Sequence, residues 1–513
     1  MTRVITRAAA AAVAAVATAA TVSVAGTAPA GAQGTDCPAV YALGVQGTGE
    51  SSPDASRTTD TGMLSSVFMP LLAQAEAAGV RIEREYIPYE AAFGGAVPGG
   101  SVPYEDSVNG AIGALNTRIG EIAQQCPASG VALVGYSQGA NAVANTAKAI
   151  GAGTGPIDPD QVVAVALMGD PTRAANSGPF PGDPNRTSPA TVPGTSGEAV
   201  SALEQLMATT VTGSGSGIGP TSQRSGSYGR IAGRVASLCS PGDLACDAPD
   251  NAALLRAVAN VAGQSELGGD PIRAISSIAE SLAMTTIKTA TKVVNEDISG
   301  NSLATLSLNP KKSLSERVAE ASDPSAPFDP AQALQALFKV GGIALNAVVA
   351  VARTVLTPAN IAEVAAAGMS NPAAGLAIAG GKLLGAVTQL VPPVTVNRLV
   401  NQTFQAVVDN VQDNSDLLDV STWVKYSQTI TSHGSYGNAP VTMNGSPATK
   451  FVANWITAAA QDVADGGGIS VTSTHTPRDL VPTTVPSTAT PTTRKPSATI
   501  LPSTSSVYPT TQN

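Results

Sequence analysis

Short β-type apolar runs alternate, through the first half of the chain, with stretches whose apolar positions recur every three or four residues. The runs lie at 40–45, 80–89, 131–137, 162–170 and 234–239, and the helical stretches at 62–78, 104–125 and 140–150. Runs with little polar interruption suit strands buried on both faces, and strands alternating with helices predict an α/β fold with a central parallel sheet. Ligands bind such sheets beyond the carboxyl ends of the strands, so the loops following these runs are where chemistry is expected.

The pattern then changes. Residues 170–228 are rich in Gly, Pro, Ser and Thr apart from a helical patch around 198–209, which predicts an irregular excursion over the sheet edge. From 247 to 422 the chain becomes long Ala/Val/Leu helices without convincing strands, the character of an insertion. Within it, 334–356 carries apolar residues on more than one face, and Lys339 and Arg353 bracket thirteen uncharged residues, too few to span a bilayer. An ordinary buried helix is expected there, with a lid or lipid-contacting helix as the rival. A segment at 423–465, with a helix over 447–463, resumes the earlier pattern, and the Thr/Pro/Ser-rich 466–513 predicts a disordered, extended tail. Such a tail serves as a wall-spanning or glycosylated stalk, or as a plain linker.

Charge and termini narrow the class. With 28 Lys+Arg against 37 Asp+Glu the chain lacks the basic footprint of a nucleic-acid binder. Arg3 and Arg7, an uncharged Ala/Val run and then Ala30-Gly31-Ala32 predict a secretory signal over 1–32, with an uncleaved anchor as the alternative. Export gives the cysteines meaning. Cys37, Cys126, Cys239 and Cys246 allow two disulfides in three connectivities; proximity favours Cys239 with Cys246, leaving Cys37 for Cys126. A zinc site fits the spacing poorly, with only two histidines present, and no metal or other cofactor is expected.

Residues 131–140 read Val-Ala-Leu-Val-Gly-Tyr-Ser-Gln-Gly-Ala, a strand-like run that ends in a Gly-x-Ser-x-Gly turn. Such a turn lifts the hydroxyl of Ser137 out of the backbone towards an acyl carbon. The motif alone is weak in a chain with 51 glycines, so its partners must carry the reading. A serine needs a base, usually a histidine oriented by a carboxylate. His475 lies in the Thr/Pro-rich tail, which leaves His433, in Thr-Ser-His-Gly-Ser-Tyr just before the last helix. For the acid, Asp170 and Asp243 both follow strand-like runs; Asp243 is preferred because a Cys239–Cys246 bridge would hold it rigidly, and Asp170 suits a turn. The developing oxyanion needs donors: the N–H of Gln138 supplies one, and Thr48, in the Gly-Thr-Gly turn after the first strand, offers an N–H and a hydroxyl.

Together these residues resemble the cutinase family of secreted serine esterases. The matching features are Cys37-Pro38, Gly47-Thr48-Gly49-Glu50, Cys126, Gly135-Tyr136-Ser137-Gln138-Gly139, the Cys239-to-Cys246 loop bearing Gly242-Asp243, and His433, in family order. The resemblance implies an α/β-hydrolase with a five-stranded parallel core, split between 33–246 and 423–465. It also implies disulfides Cys37–Cys126 and Cys239–Cys246, a Ser137/Asp243/His433 triad, and an oxyanion hole from Thr48 and Gln138. Two departures stand out. Thr48 occupies a position where fungal relatives typically have serine, and 247–422 stands where the family usually has a short loop. A helical cover beside the site favours a lipid-like ester over a polymer such as cutin or polyester, with association to the cell envelope as the accompanying expectation. The rival functions are a short-chain carbohydrate acetylesterase or an acyltransferase using the same triad, and a non-catalytic wall-associated binding protein.

Overall fold

The computed structural model describes residues 37–96, 100–183, 185–224, 226–266, 271–300, 306–341, 358–370 and 405–469, with a few positions between 374 and 402. The signal segment 1–32, the tail from 470 with His475, and the 342–356 part of the apolar helix lie outside the described residues.

Five strands, β1 (Val40–Val45), β2 (Ile82–Tyr86), β3 (Gly130–Tyr136), β4 (Val162–Met168) and β5 (Val235–Leu238), form one sheet in the order β2-β1-β3-β4-β5, with every neighbour parallel. Every residue of β1, β3, β4 and β5 is buried, which is why their sequences read as near-continuous apolar runs. In β1 the side chains divide by alternation. Val40 and Ala42 face a core with Phe68 and Leu71 of α1 (Ser65–Ala78) and with Phe451, Trp455 and Ile456 of the last helix, Ala448–Asp465. Tyr41, Leu43 and Val45 face the opposite core, with Leu115 and Ile119 of α2 (Tyr104–Gln125) and Ala144 and Ala147 of α3 (Gln138–Gly151). The free edge at β2 carries charge: Glu85 pairs with Arg118, and Arg84 with Asp60. Charged side chains protect such an edge from pairing with another chain.

The disulfides are Cys37–Cys126 and Cys239–Cys246. The first ties the chain before β1 to the end of α2, and the second closes the loop after β5.

Three expectations change. The insertion is chiefly helical among its described residues, with helices Ala253–Gly263, Pro271–Lys292, Leu314–Ser322 and Pro330–Gly341, but it includes a small antiparallel ribbon of Ile298–Ser299 with Ser307–Leu308. The described part of the apolar helix is not simply buried: Leu334, Leu337 and Phe338 face outward while Ala336 and Val340 pack inward. Ile469, expected in the tail, is instead buried in the core, and its N–H donates to the carbonyl of Ala128.

The insertion leaves and rejoins the sheet domain at one place. The N–H of Ala253 lies 3.4 Å from the carbonyl of Asp413, and the N–H of Leu254 donates to Asn414 Oδ1 at 3.0 Å. Asp323 Oδ2 accepts the N–H of Ser222, and Arg256 donates to Ser216 Oγ, so the insertion is also fastened to the 170–228 excursion. Among the described residues, no helix is long and apolar enough to cross a membrane.

Candidate active site

Ser137 sits between β3 and α3 with φ 53° and ψ −120°, a conformation that L-residues seldom adopt. The turn is enforced from both sides. A Cβ on Gly139 would lie 2.0 Å from the carbonyl oxygen of Val45, and one on Gly135 would lie 2.6 Å from Ala140 Cα. The N–H of Ser137 donates to the carbonyl of Met168 at 2.8 Å, which anchors the turn to the end of β4.

His433 ends a short helix, Thr429–His433, rather than lying on an open loop. Its Nε2 lies 2.9 Å from Ser137 Oγ, and its Nδ1 lies 2.9 Å from both carboxylate oxygens of Asp243. With Asp243 accepting from Nδ1–H, Nε2 is left to accept the serine proton. Asp243 is fully buried, and further donors compensate for that burial: the N–H of Ala245 at 3.0 Å and the hydroxyl of Tyr436 at 2.5 Å. Burial first, and then the neighbouring Asp243 carboxylate, hold the Tyr436 phenol well above its ordinary pKa, so it stays a donor. Asp170 is not part of this group; its Oδ1 accepts the N–H and hydroxyl of Thr172, the turn role expected for it.

Three contributors escape the sequence pattern. Tyr436 lies three residues after His433 and would pass for a core aromatic. Tyr136 lies beside Ser137, stacks on the His433 ring at 5.1 Å and donates its hydroxyl to the His433 carbonyl at 3.0 Å. Gly169, with φ 64°, lets the imidazole come close, since a Cβ there would lie 3.0 Å from His433 Cε1 and 3.2 Å from Asp243 Oδ2. The one available signal was its place at the end of β4, directly before Asp170.

Gln138 begins α3 directly after Ser137, so its N–H has no partner within the helix. Its side chain is held by other partners: Nε2 donates to the carbonyl of Ala92 at 2.9 Å, and Oε1 accepts from the Tyr89 hydroxyl at 3.2 Å. Opposite lies the β1 turn, where Glu50 accepts the N–H groups of Gly47 and Met63, both at 3.0 Å. Thr48 and Ser137 line one cavity of about 270 Å³, walled further by Phe93 and Val108, by Ile218 of the excursion, and by Ala259 of helix Ala253–Gly263. The insertion therefore shapes the site itself.

Residues 37–256 match the family model described as Cutinase. The chain is 32% identical over 232 residues to the carboxylesterase Culp6 homolog of Corynebacterium glutamicum, covering 44% of this chain and 71% of that protein. Among solved structures, the catalytic core domain of acetyl xylan esterase from Trichoderma reesei is 21% identical, covering 48% of this chain and 99% of that one, with a TM-score of 0.27. A cutinase-like protein from Cryptococcus sp. is 20% identical over 42% of this chain and 82% of its own, with a TM-score of 0.28.

Proposed function

The chain belongs to the cutinase family and is an esterase, and from that premise we propose that it is an exported serine hydrolase of lipid-like carboxylic esters, with Ser137, His433 and Asp243 as its triad. The observation that carries this reading is the continuous chain of contacts from Ser137 Oγ through His433 to the buried Asp243, each at 2.9 Å. In acylation, Ser137 Oγ attacks the ester carbonyl while His433 Nε2 takes its proton. The oxyanion is met by the N–H of Gln138 and by the N–H and hydroxyl of Thr48. Collapse of the tetrahedral adduct breaks the bond to the alcohol, which leaves with the proton from Nε2. Water then donates a proton to Nε2 and attacks the acyl-enzyme, and the acid leaves as Ser137 recovers its hydrogen.

The mostly apolar lining of the cavity suits an acyl chain. Two disulfides accord with an oxidising destination, which fits the exported state and association with the envelope. Hydrolysis of p-nitrophenyl esters from acetate to palmitate by the mature protein tests the reading. Turnover should peak beyond acetate and fall on the order of 10⁶-fold in Ser137→Ala. A peak at acetate would favour a carbohydrate acetylesterase, and no serine-dependent turnover would favour a binding protein.

A further inference from the structure

Tyr136 closes β3 directly before Ser137, and its buried side chain meets two parts of the site that come from distant stretches of the chain. Its ring stacks on the His433 imidazole, with centroids 5.1 Å apart and planes inclined by 29°, and its hydroxyl donates to the His433 carbonyl at 3.0 Å. The same ring packs against the turn after β1. A Cβ on Gly47 would lie 2.8 Å from Tyr136 Cδ1 and 3.0 Å from Cε1, with Glu50 Oε2 next at 3.2 Å. Gly47 does not take a positive φ, so this ring, not the backbone conformation, is what a side chain there would meet first. Tyr136 is itself held: Tyr436 packs across it at 70°, with centroids 6.1 Å apart. Burial first, then the Glu50 and Asp243 carboxylates, hold the Tyr136 phenol well above its ordinary pKa, so it stays a donor.

We propose that Tyr136 is a positioning residue that couples the base to the oxyanion turn: its one ring sets the His433 imidazole and the Gly47-Thr48 turn relative to each other, and its face favours the imidazolium that forms as Ser137 attacks. The inference rests on Ser137, His433 and Asp243 acting as the triad. An aromatic face attracts a cation within about 6 Å of its centroid. The imidazole gains its charge only during attack, so this attraction is stronger in the transition state than in the ground state and accelerates the reaction. The hydroxyl anchor and the Asp243 contact at Nδ1 together keep the ring from turning away from Ser137. After attack the imidazolium must hand its proton to the leaving alcohol. Ethoxide needs that proton, whereas p-nitrophenolate departs without it. A misplaced imidazole therefore slows an ethyl ester more than the p-nitrophenyl ester of the same acid, while a smaller folded fraction slows both alike.

The test compares kcat/KM for ethyl butyrate and p-nitrophenyl butyrate in the full chain, with Ser137→Ala as control. Tyr136→Leu should lower kcat/KM for p-nitrophenyl butyrate by about tenfold and raise the p-nitrophenyl-to-ethyl ratio by about threefold or more. Tyr136→Phe keeps the ring and removes the anchor, so it should lose about fivefold and return most of the ratio to the wild-type value. Gly47→Ala presses on the same ring from the oxyanion turn; it should raise the ratio as well, and its effect should shrink in the Tyr136→Leu background. If Tyr136→Leu does not fold, the ratio in Gly47→Ala decides. A wild-type ratio in Gly47→Ala or in folded Tyr136→Leu, or fully multiplicative effects of the two, overturns the inference while Ser137-dependent turnover leaves the proposed triad intact. Absence of Ser137-dependent turnover of either ester by the wild type removes the triad and this inference together.

Discussion

His433 is held on several sides: Asp243 and Ser137 on its two nitrogens, Tyr136 against its face, and Gly169 leaving room beneath. Asp243→Asn should lower kcat on the order of 10⁴-fold with near-unchanged circular dichroism, because the amide stabilises the wrong imidazole tautomer. Asp170→Asn should leave kcat within about tenfold; a reversal of these two results would move the acid to Asp170. Tyr436→Phe keeps the ring and removes one donor to Asp243, so kcat should fall about tenfold. Ser137, His433 and Asp243 were legible because a nucleophile elbow, a scarcity of histidines and a short cysteine loop are written along the chain. Tyr436 and Gly169 were not, since their contribution depends on proximity across 193 residues in one case and on a left-handed φ in the other. Glu105 offers a pH test of a different kind. Burial lifts its carboxyl from the ordinary 4.5 to about 7 in the folded protein, so ionisation disfavours the fold. Wild type and Glu105→Gln should be equally stable below pH 4.5, and the wild type should fall behind between there and about 7, by on the order of 1–3 kcal/mol. Urea melts at both ends of that range would show it, and a constant gap would disprove the raised carboxyl.

The two disulfides close loops of very different length. Cys37–Cys126 closes a loop with a sequence separation of 89, and Cys239–Cys246 one of 7, so loop entropy assigns roughly 5 kcal/mol to the first and roughly 2–3 kcal/mol to the second. Only the smaller loop contains Asp243. Replacing Cys37 and Cys126 by alanine should therefore cost the larger share of denaturation midpoint, while replacing Cys239 and Cys246 should cost the larger share of kcat. Equal effects on kcat would show that the loop holds Asp243 without its bridge. At this scale the sheet was readable because β1, β3, β4 and β5 are buried on both faces and their composition has no other explanation. The helix at Pro330–Gly341 was less so. Apolar residues on several faces signal burial only when neighbours cover all of them, and Leu334, Leu337 and Phe338 remain exposed.

Across the whole molecule, the insertion behaves as a unit clasped at its base and fastened along its flank. Its base is the pairing of Ala253 and Leu254 with Asp413 and Asn414, and its flank the contacts of Arg256 with Ser216 and of Asp323 with Ser222. Inside, Arg317 and Asp297 form a buried pair through two hydrogen bonds, at 2.8 and 3.2 Å, so its packing does not depend on the sheet domain alone. Sequence composition predicted helices over 247–422, and its described residues are chiefly helical, but no local signal could reveal that Ala259 and Asn260 wall a cavity shared with Ser137. This juxtaposition predicts the effect of excision. Because residues 254 and 413 are neighbours in space, a short Gly/Ser linker in place of 255–412 bridges them without disturbing the sheet, the disulfides or the helix bearing His433. The shortened protein should retain serine-dependent hydrolysis of short esters while its decanoate-to-butyrate ratio of kcat/KM falls by about tenfold, the loss expected if the equivalent of about two fully buried methylenes, at roughly 0.8 kcal/mol each, lose their apolar wall. A ratio unchanged by excision, in a variant shown folded by its intact disulfides and cooperative melt, would mean that the acyl chain is bound by the sheet domain and that the insertion works elsewhere.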